Sequence, residues 1–492
     1  MQTRKNPAET VVVIGAGPTG LAAAAHLVER GITPVVMESG DEAGAAIRQW
    51  GHVRLFSPWQ FNIDTASRRI LVSHGWQEPD PAHLPTGTEL VDQYLAPLAA
   101  TPELAPHIQY RTHVVAVSRQ GVDLTRTIGR EHRPYLVRSR SADGSYTDTI
   151  ADAVIDASGT WGHSNPLGAH GLAAPGENAS DSFLTGPLPD VLGKDRARFA
   201  GKRTLVVGMG HSAANTLLAL ADLAEEEDST SIVWAIRGGS AARLYGGGDA
   251  DALPARGKLG TRLKKLVADG KLTLVNKFTI DRFTPAESAI TVHGRSADQP
   301  MELEVDHIVA ATGFRPNLEM LRETRLDIDP GVEAPSKLAP LIDPNFHSCG
   351  TVPPHGEKDL AHPDEGIYLV GMKSYGRAPT FLMATGYEQV RSVAAALAGD
   401  RVAADRVQLE LPETGVCSSS PTVENADGSV TFADTTGSCG TDEGGCGTAP
   451  APKGLSTGVL HGYSGEPTTV LELSEARPRT SCCGSSDANG ES

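Results

Sequence analysis

The chain has 492 residues, enough for two or three domains around a large core. Sixty acidic residues face 43 basic ones, and the net charge of −17 argues against nucleic acid or an anionic membrane as the main partner. No run of about 18 apolar residues occurs, so no membrane span is expected. The polar Met1–Thr10 segment has no apolar signal core, which predicts a cytoplasmic protein.

The first element is the apolar run Val11-Val12-Val13-Ile14, a strand that ends in Gly15-Ala16-Gly17-Pro18-Thr19-Gly20. An alanine-rich helix follows. Strand, G-x-G-x-x-G and helix together predict a dinucleotide cradle: Gly15 for the tight turn, Gly17 for close approach of a pyrophosphate, Gly20 for helix–strand packing. The helix N-terminus adds N–H donors and partial positive charge. The next strand, Thr33-Pro34-Val35-Val36-Met37, closes on Glu38, 18 residues after Gly20, placed to bind a ribose hydroxyl. Pro18 and Thr19 complete the predicted contact set.

In the glycine-bearing stretch from Gly40 to Gly51, Arg48 and Trp50 are candidates to flank a planar ring and to take part in the chemistry. A surface loop with a buried Trp explains each of them equally well. Residues 52–85 read as irregular. Thr86 or Thr88 is placed to cap a helix through Leu95. Alternation predicts one strand around Val114, Val115 and Val117 and another at Tyr135-Leu136-Val137, and Asp143-Gly144 marks a hairpin turn. A buried strand then ends in Asp156-Ala157-Ser158-Gly159, and its small residues make Gly159 a further cofactor-contact candidate.

Residues 160–200 are rich in Gly, Pro and Asn and read as a linker. The opening pattern then recurs: Thr204-Leu205-Val206-Val207, followed by Gly208-Met209-Gly210-His211-Ser212-Ala213 and a helix to about Ala224. The strand Ile232–Ile236 ends at Arg237, where the first unit has Glu38. An acid repels a 2′-phosphate and an arginine accepts one. The first cradle should therefore take a dinucleotide with a free ribose hydroxyl, and the second NADP, with Gly208, Gly210, His211, Ser212, Ala213 and Arg237 as contacts. Arg243 is a candidate second phosphate ligand.

His307–Ala311 runs into Thr312-Gly313, a turn like the one at 153–159; the two turns read as exits from the first domain to the second and back. Ile367–Val370 is a further buried strand, with Gly371 and Met372 at its end, and a helix spans about 380–398. Beyond about 410 the composition shifts to Gly, Ser, Thr and Pro, with little to build a core apart from Val430, Phe432, Val459 and Leu460. Five of the six cysteines lie there: Cys417, Cys439, Cys446, Cys482 and Cys483; the sixth is Cys349. Cys439 and Cys446 are too widely spaced for a tight zinc knuckle. Cys439, Cys446, Cys482 and Cys483 are candidates for redox or soft-metal chemistry. His347, Cys349, His355 and His362 lie close in sequence without a recognisable ligand spacing, so no metal site is assigned. Cys349 is the candidate soft anchor for a substrate, or else an inert buried thiol.

Phe199 to Ala213, with the run Gly201-Lys202-Arg203-Thr204 leading into the second glycine motif, resembles the NADP-domain entry of flavin-containing monooxygenases. Ala311-Thr312-Gly313-Phe314-Arg315-Pro316-Asn317 is similar to their second domain crossover, and Pro85–Leu90 with Tyr94-Leu95 to a helix start they share. The resemblance covers roughly residues 10–400. It implies an α/β fold of two nested Rossmann-like dinucleotide-binding domains of the three-layer ββα type. An FAD-binding domain would comprise 1–165 and 305–405, and an NAD(P)-binding domain 195–304. A flexible, largely disordered cysteine-bearing tail would follow over 406–492. The implied cofactors are FAD and NADPH. The implied activity is oxygen-using monooxygenation of a small soft nucleophile with an N, S or As(III) centre. One departure is clear: these enzymes carry F-x-G-x-x-x-H near the domain junction, and Phe183-Leu184-Thr185-Gly186 is followed by Pro187-Leu188-Pro189-Asp190, without the histidine. The stretch Ser348–Gly356, the block Lys373–Arg377 and the cysteine tail resemble monooxygenase-like proteins of actinobacterial arsenic-resistance operons.

Two alternatives stand beside the oxygenase. A thiol, disulfide or metalloid reductase would use Cys482-Cys483 as a shuttle; a flexible linker of about 80 residues has a root-mean-square reach of roughly 50 Å. No C-x-x-C or C-x4-C pair precedes Cys349 to support it. The other alternative is a flavoprotein with a non-catalytic soft-metal-binding tail.

Overall fold

The computed structural model describes residues 7–245, 254–344, 352–379 and 381–409, together with two short strands at 422–424 and 430–432. All belong to one compact unit, Met1–Thr435. The candidates Cys349, Cys439, Cys446, Cys482 and Cys483, the histidine His347 and most of the 406–492 tail lie outside the described residues.

The first sheet is wholly parallel, with strand order β16-β7-β1-β2-β3. Its strands are β1 (Thr10–Ile14), β2 (Thr33–Met37), β3 (Ile108–Gln109), β7 (Ala153–Asp156) and β16 (Ile367–Leu369). The unbroken apolar run of β1 follows from burial on both faces. Val11 and Val13 pack with the helices Pro18–Val28 and Met383–Leu397, while Val12 and Ile14 face the opposite layer. Ala22, Ala23, Ala24 and Ala25 are fully buried, because only small side chains let the first helix sit in contact with both the sheet and the last helix. The opposite layer is an antiparallel meander of β4 (Thr112–Arg119), β5 (Tyr135–Ser141) and β6 (Tyr146–Ala151), whose Val114, Val117, Tyr135 and Val137 close the core. Alternating residues of β4 and β5 supply that face, and the Asp143-Gly144 turn joins β5 to β6 as expected.

The second sheet repeats the plan, with order β11-β10-β9-β15-β8, again parallel. It contains β8 (Leu184–Thr185), β9 (Arg203–Val207), β10 (Ser231–Ala235), β11 (Thr273–Val275) and β15 (His307–Ala310). Helices His211–Glu226 and Pro254–Ala268 cover one face through Leu217, Leu220, Leu259 and Leu263. A meander of β12 (Phe278–Pro285), β13 (Ile290–Ser296) and β14 (Gln299–Val305) covers the other. The chain leaves the first sheet after β7, builds the second, and returns as β16, so the second fold is nested in the first.

Two local readings differ from the structure. Residues 160–200 are more than a linker: β8 pairs with β15 at the sheet edge, and Val191 and the fully buried Phe199 join the second core. The stretch 52–85 contains a helix, Thr65–Ser73, whose N-cap Asp64 accepts from the Ser67 amide at 2.8 Å. Both are short elements whose partners lie far away in sequence, so local composition does not reveal them. Thr86 is the cap of the next helix, in a reciprocal capping box with Glu89. Past residue 410, Thr422–Glu424 pairs antiparallel with Val430–Phe432.

Candidate functional site: two glycine cradles

Each glycine motif sits at the C-terminal end of the central strand of its sheet, where open α/β sheets bind ligands. In the first, Gly15 has φ +100°, and a Cβ there would lie 2.9 Å from the Ala157 carbonyl oxygen. A Cβ on Gly20 would lie 1.9 Å from the Gly15 oxygen, so any larger residue pushes helix from strand. Gly17 is different: nothing of the protein lies within 4 Å of its Cβ position. The helix begins there with Pro18 in its first turn and no side chain capping it. Its first N–H groups thus remain available to an anion.

Glu38 stands beside this open space. Its Oε2 accepts from the Ala16 amide and its Oε1 from the Gly40 amide, each at 2.7 Å. Oε1 also accepts from the Ser39 hydroxyl at 3.4 Å, so the group is oriented, and Oε2 keeps a second lone pair with which it can still accept from a hydroxyl. Thr19 is the meeting point of two other elements: a Cβ on Gly371 would lie 2.8 Å from Thr19 Oγ1, and one on Gly386 2.9 Å. Gly371 and the half-buried Met372 follow β16, and Gly386 lies in the first turn of the helix Met383–Leu397.

The turn at Gly371 is held from behind. Its amide donates to Gln389 Oε1 at 2.7 Å, and Gln389 Nε2 donates to Ser374 Oγ at 2.9 Å and to His355 Nε2 at 3.0 Å. Burial pushes the His355 imidazole below its ordinary value, so it is neutral and donates from Nδ1 to the Pro353 carbonyl. His362 is pulled down to about 4 by burial and accepts from the Asp327 amide. The two histidines therefore serve separate hydrogen-bond networks. Among the described residues no cluster of three or more His, Cys, Asp or Glu is arranged to hold a metal.

Lys373, which the sequence marked only as part of a resembling block and not as a site residue, lies next to these turns. Lys373, 1% exposed, sends Nζ to Asp156 Oδ2 at 2.6 Å and to Ser158 Oγ at 3.0 Å. Asp156 Oδ1 in turn accepts from the Ser158 hydroxyl and amide. A lysine two residues past a strand-end glycine reads as an ordinary surface charge; only the pairing of β16 with β7 brings it to Asp156.

In the second cradle, a Cβ on Gly208 would lie 2.0 Å from the Ala311 oxygen, and Gly210 again faces open space. His211 and Ser212 open the helix, uncapped by any side chain, and Ala213 is fully buried beneath it. Arg237 is exposed just beyond β10. The carbonyls on either side of it, Ile236 and Gly238, accept from the Phe278 and Lys277 amides, which sets exposed Lys277 next to it. Arg243 lies in the short helix Ala242–Tyr245.

The two crossings between the sheets run side by side. Asn165 and Gly313 are hydrogen-bonded through their backbones at 2.9 Å, Thr312 Oγ1 donates to the Asn165 carbonyl, and Ser164 bridges Phe314. Beyond Gly159, the Trp161 ring packs in tilted contact between Trp50, at 6.3 Å, and Phe314, at 5.2 Å. Trp50 thus belongs to an aromatic row at the crossing. Arg48 is tied to Asp92 and Glu42, and those hydrogen bonds hold its guanidinium firmly charged. No cysteine lies among the described residues. No helix among them is long and apolar enough to cross a membrane.

Two nested α/β sheets, each with a glycine cradle, define a flavoprotein oxidoreductase of the type with two dinucleotide-binding domains. The model of the pyridine nucleotide-disulphide oxidoreductase family matches residues 12–348, and the chain belongs to that family. Among curated proteins it is similar to flavin-containing monooxygenase 3 of Macaca mulatta, 25% identical over 218 residues. That match spans 44% of this chain and 38% of the relative. Among solved structures it is similar to the bacillithiol disulfide reductase Bdr of Bacillus cereus, with a TM-score of 0.59 and 18% identity over 80% of this chain and 99% of that one. It is also similar to the FAD-bound cadaverine monooxygenase DfoA of Erwinia amylovora, with a TM-score of 0.56 and 14% identity over 82% and 97%. At these identities the structural likeness speaks for the fold.

Proposed function

We propose that the chain is an FAD-dependent, NADPH-using monooxygenase acting on a small soft nucleophile with an N, S or As(III) centre. The first sheet and its flanks, 1–165 and 305–405, form the FAD-binding domain, and 195–304 the NADP-binding domain. The observation that carries this reading is the opposite polarity of two otherwise matching cradles: Glu38 ends the second strand of one, Arg237 that of the other. The fit of FAD to the first rests on the open face of Gly17, the uncapped helix start and the unused lone pair of Glu38 Oε2. Bound FAD supplies the redox chemistry. The residues of the chain bind, orient and shield it. Gly15, Gly17, Pro18, Thr19 and Gly20 receive the pyrophosphate, and Glu38 takes the ribose. Gly159, Gly371 and Met372 border the cofactor, as do Thr312 and Gly313. Gly208, Gly210, His211, Ser212 and Ala213 receive the second pyrophosphate, and Arg237 pairs with the 2′-phosphate. Trp50, Trp161 and Phe314 exclude water at the crossing.

A disulfide reductase of this architecture needs a thiol pair beside the flavin. The absence of cysteine before residue 349 favours the oxygenase over that alternative. The test is oxidation of NADPH by the purified protein, with oxygen uptake and peroxide yield followed with and without a thioether, an amine and arsenite. Substrate-coupled oxygen uptake supports the proposal. Turnover that persists without oxygen and consumes a disulfide overturns it.

A further inference from the structure

The polarity of one buried hydrogen-bond chain is fixed from both ends. At one end the Pro353 carbonyl can only accept, so His355 Nδ1 carries a hydrogen and donates to it at 3.1 Å. The neutral imidazole then accepts at Nε2, and Gln389 presents its NH2 group there, at 3.0 Å. At the other end the Gly371 amide can only donate, and Gln389 Oε1 takes it at 2.7 Å. The second Nε2 hydrogen of Gln389 goes to Ser374 Oγ, whose hydroxyl donates to the Gly371 carbonyl at 2.8 Å. Gln389 and Ser374 are 0% exposed and His355 is 3% exposed, so water does not compete for these groups.

This chain pins a turn at the rim of the first cradle. Gly371 has φ +65°, and a Cβ on it would meet the Thr19 side chain at the start of the first helix. Both backbone polar groups of Gly371 are bound to side chains, so the turn is held by Gln389 and Ser374 together. Around His355 stand the Tyr375 ring at 5.7 Å, Asp359 of the short helix Glu357–Leu360 and Glu388 of the helix Met383–Leu397. Asp359 accepts from the Gly356 amide, and Glu388 is paired with Arg391. Both carboxylates favour a proton on the imidazole, but burial outweighs them and keeps it neutral.

We propose that Gln389 is the positioning residue of the Gly371 turn, and that His355, by accepting from it, sets which way its amide faces. This deepens the reading of the first cradle as the FAD site and rests on it. A proton taken from water onto His355 Nε2 makes that atom a donor. The Gln389 amide then turns over to offer Oε1, its NH2 group meets the Gly371 N–H, and a buried amide is left without an acceptor. The turn loses its hold at the rim of the cradle, and FAD is bound less tightly at acid pH.

The test is FAD titration of the full-length protein stripped of flavin, read by fluorescence quenching at pH 7.5 and pH 5, with the thermal midpoint of each variant recorded at both. Wild type should bind FAD about fivefold or more weakly at pH 5 than at pH 7.5. Gln389→Met carries no titrating group and leaves the Gly371 amide without its acceptor. It should bind about fivefold or more weakly than wild type at pH 7.5, with less than about a twofold change between the two pH values. His355→Gln keeps an acceptor toward Gln389 but takes up no proton, and its affinities at the two pH values should likewise converge. A purely structural Gln389 would weaken binding at both pH values and leave their ratio as in wild type. The proposal is overturned by that result, by wild-type affinity in Gln389→Met, or by a wild type whose affinity does not change with pH. Should Gln389→Met fail to fold, the pH ratio of His355→Gln decides alone, and a ratio equal to that of wild type overturns the proposal. A wild-type protein that takes up no FAD at pH 7.5 instead defeats the reading of the cradle, a result distinct from these.

Discussion

The ring of Phe56 lies 5.1 Å, centroid to centroid, from the imidazole of His211. Phe56 comes from the irregular stretch that follows the first cradle, and His211 is the first residue of the helix over the second. The contact sets a side chain from the segment after the first cradle at the mouth of the second, and Phe56 packs on the second hydrophobic core. An aromatic pair of this kind contributes about 0.5–1.5 kcal/mol beyond its buried area. Phe56→Ala should therefore raise the KM for NADPH by about two- to tenfold while FAD content stays unchanged. Steady-state kinetics with a flavin-to-protein absorbance ratio checks both halves; loss of flavin without a change in KM would refute the assignment.

Arg237 is exposed, next to Lys277, at the end of β10. A charge-assisted bond to a phosphate contributes about 1.5–3 kcal/mol, or about ten- to a hundredfold in affinity. Arg237→Ala should raise the KM for NADPH by that factor and leave the KM for NADH within about twofold. Raising the salt concentration should narrow the gap between the two cofactors in the wild type. Equal effects on both cofactors would assign Arg237 to the surface alone.

Burial of His362 lowers its pKa from 6.5 to about 4, and burial of His355 moves it in the same direction. Both are neutral when folded, and the unfolded chain takes up the proton first. Their contribution is thus fully present above about pH 6.5 and is lost as the pH falls below it, toward about 4 for His362. For His362 the loss amounts to about 3 kcal/mol at its full extent. The melting temperature should fall steadily between pH 7 and pH 4.5. His362→Asn, which keeps an acceptor for the Asp327 amide, should flatten part of that slope.

In the tail, Cys482 and Cys483 are the nearest thing in the sequence to a redox pair. If the oxygenase reading holds, replacing both by Ser leaves aerobic, substrate-coupled NADPH oxidation within about twofold of wild type. Loss of turnover in that variant, measured as oxygen uptake, would instead make the tail part of the electron path.

Much of this architecture was legible because parallel strands buried on both faces must be apolar runs, and a dinucleotide cradle demands glycine at fixed offsets. Val11–Ile14 and Thr204–Val207 announce themselves for that reason, and Glu38 and Arg237 follow by counting to the end of the next strand. What stayed hidden depends on partners far along the chain. Lys373 and Asp156 are separated by 217 positions, and nothing local to either points to their pairing. Strand β8 is two residues long and exists only because β15 offers it an edge. Gln389, buried in the helix Met383–Leu397, looks like a misplaced polar residue until the Gly371 amide is seen to need an acceptor. Arg48 illustrates the reverse: a loop arginine read as a ring-flanking group is bonded to Asp92 and Glu42.

The most direct measurement is the visible absorption spectrum of the purified protein, before and after addition of FAD and removal of the excess. The expected spectrum shows an oxidised flavin band at about one FAD per chain in the wild type and none in Gly17→Val, whose side chain fills the open face of the first cradle. A wild-type protein that is colourless and stays colourless after FAD is added would contradict the account at its root.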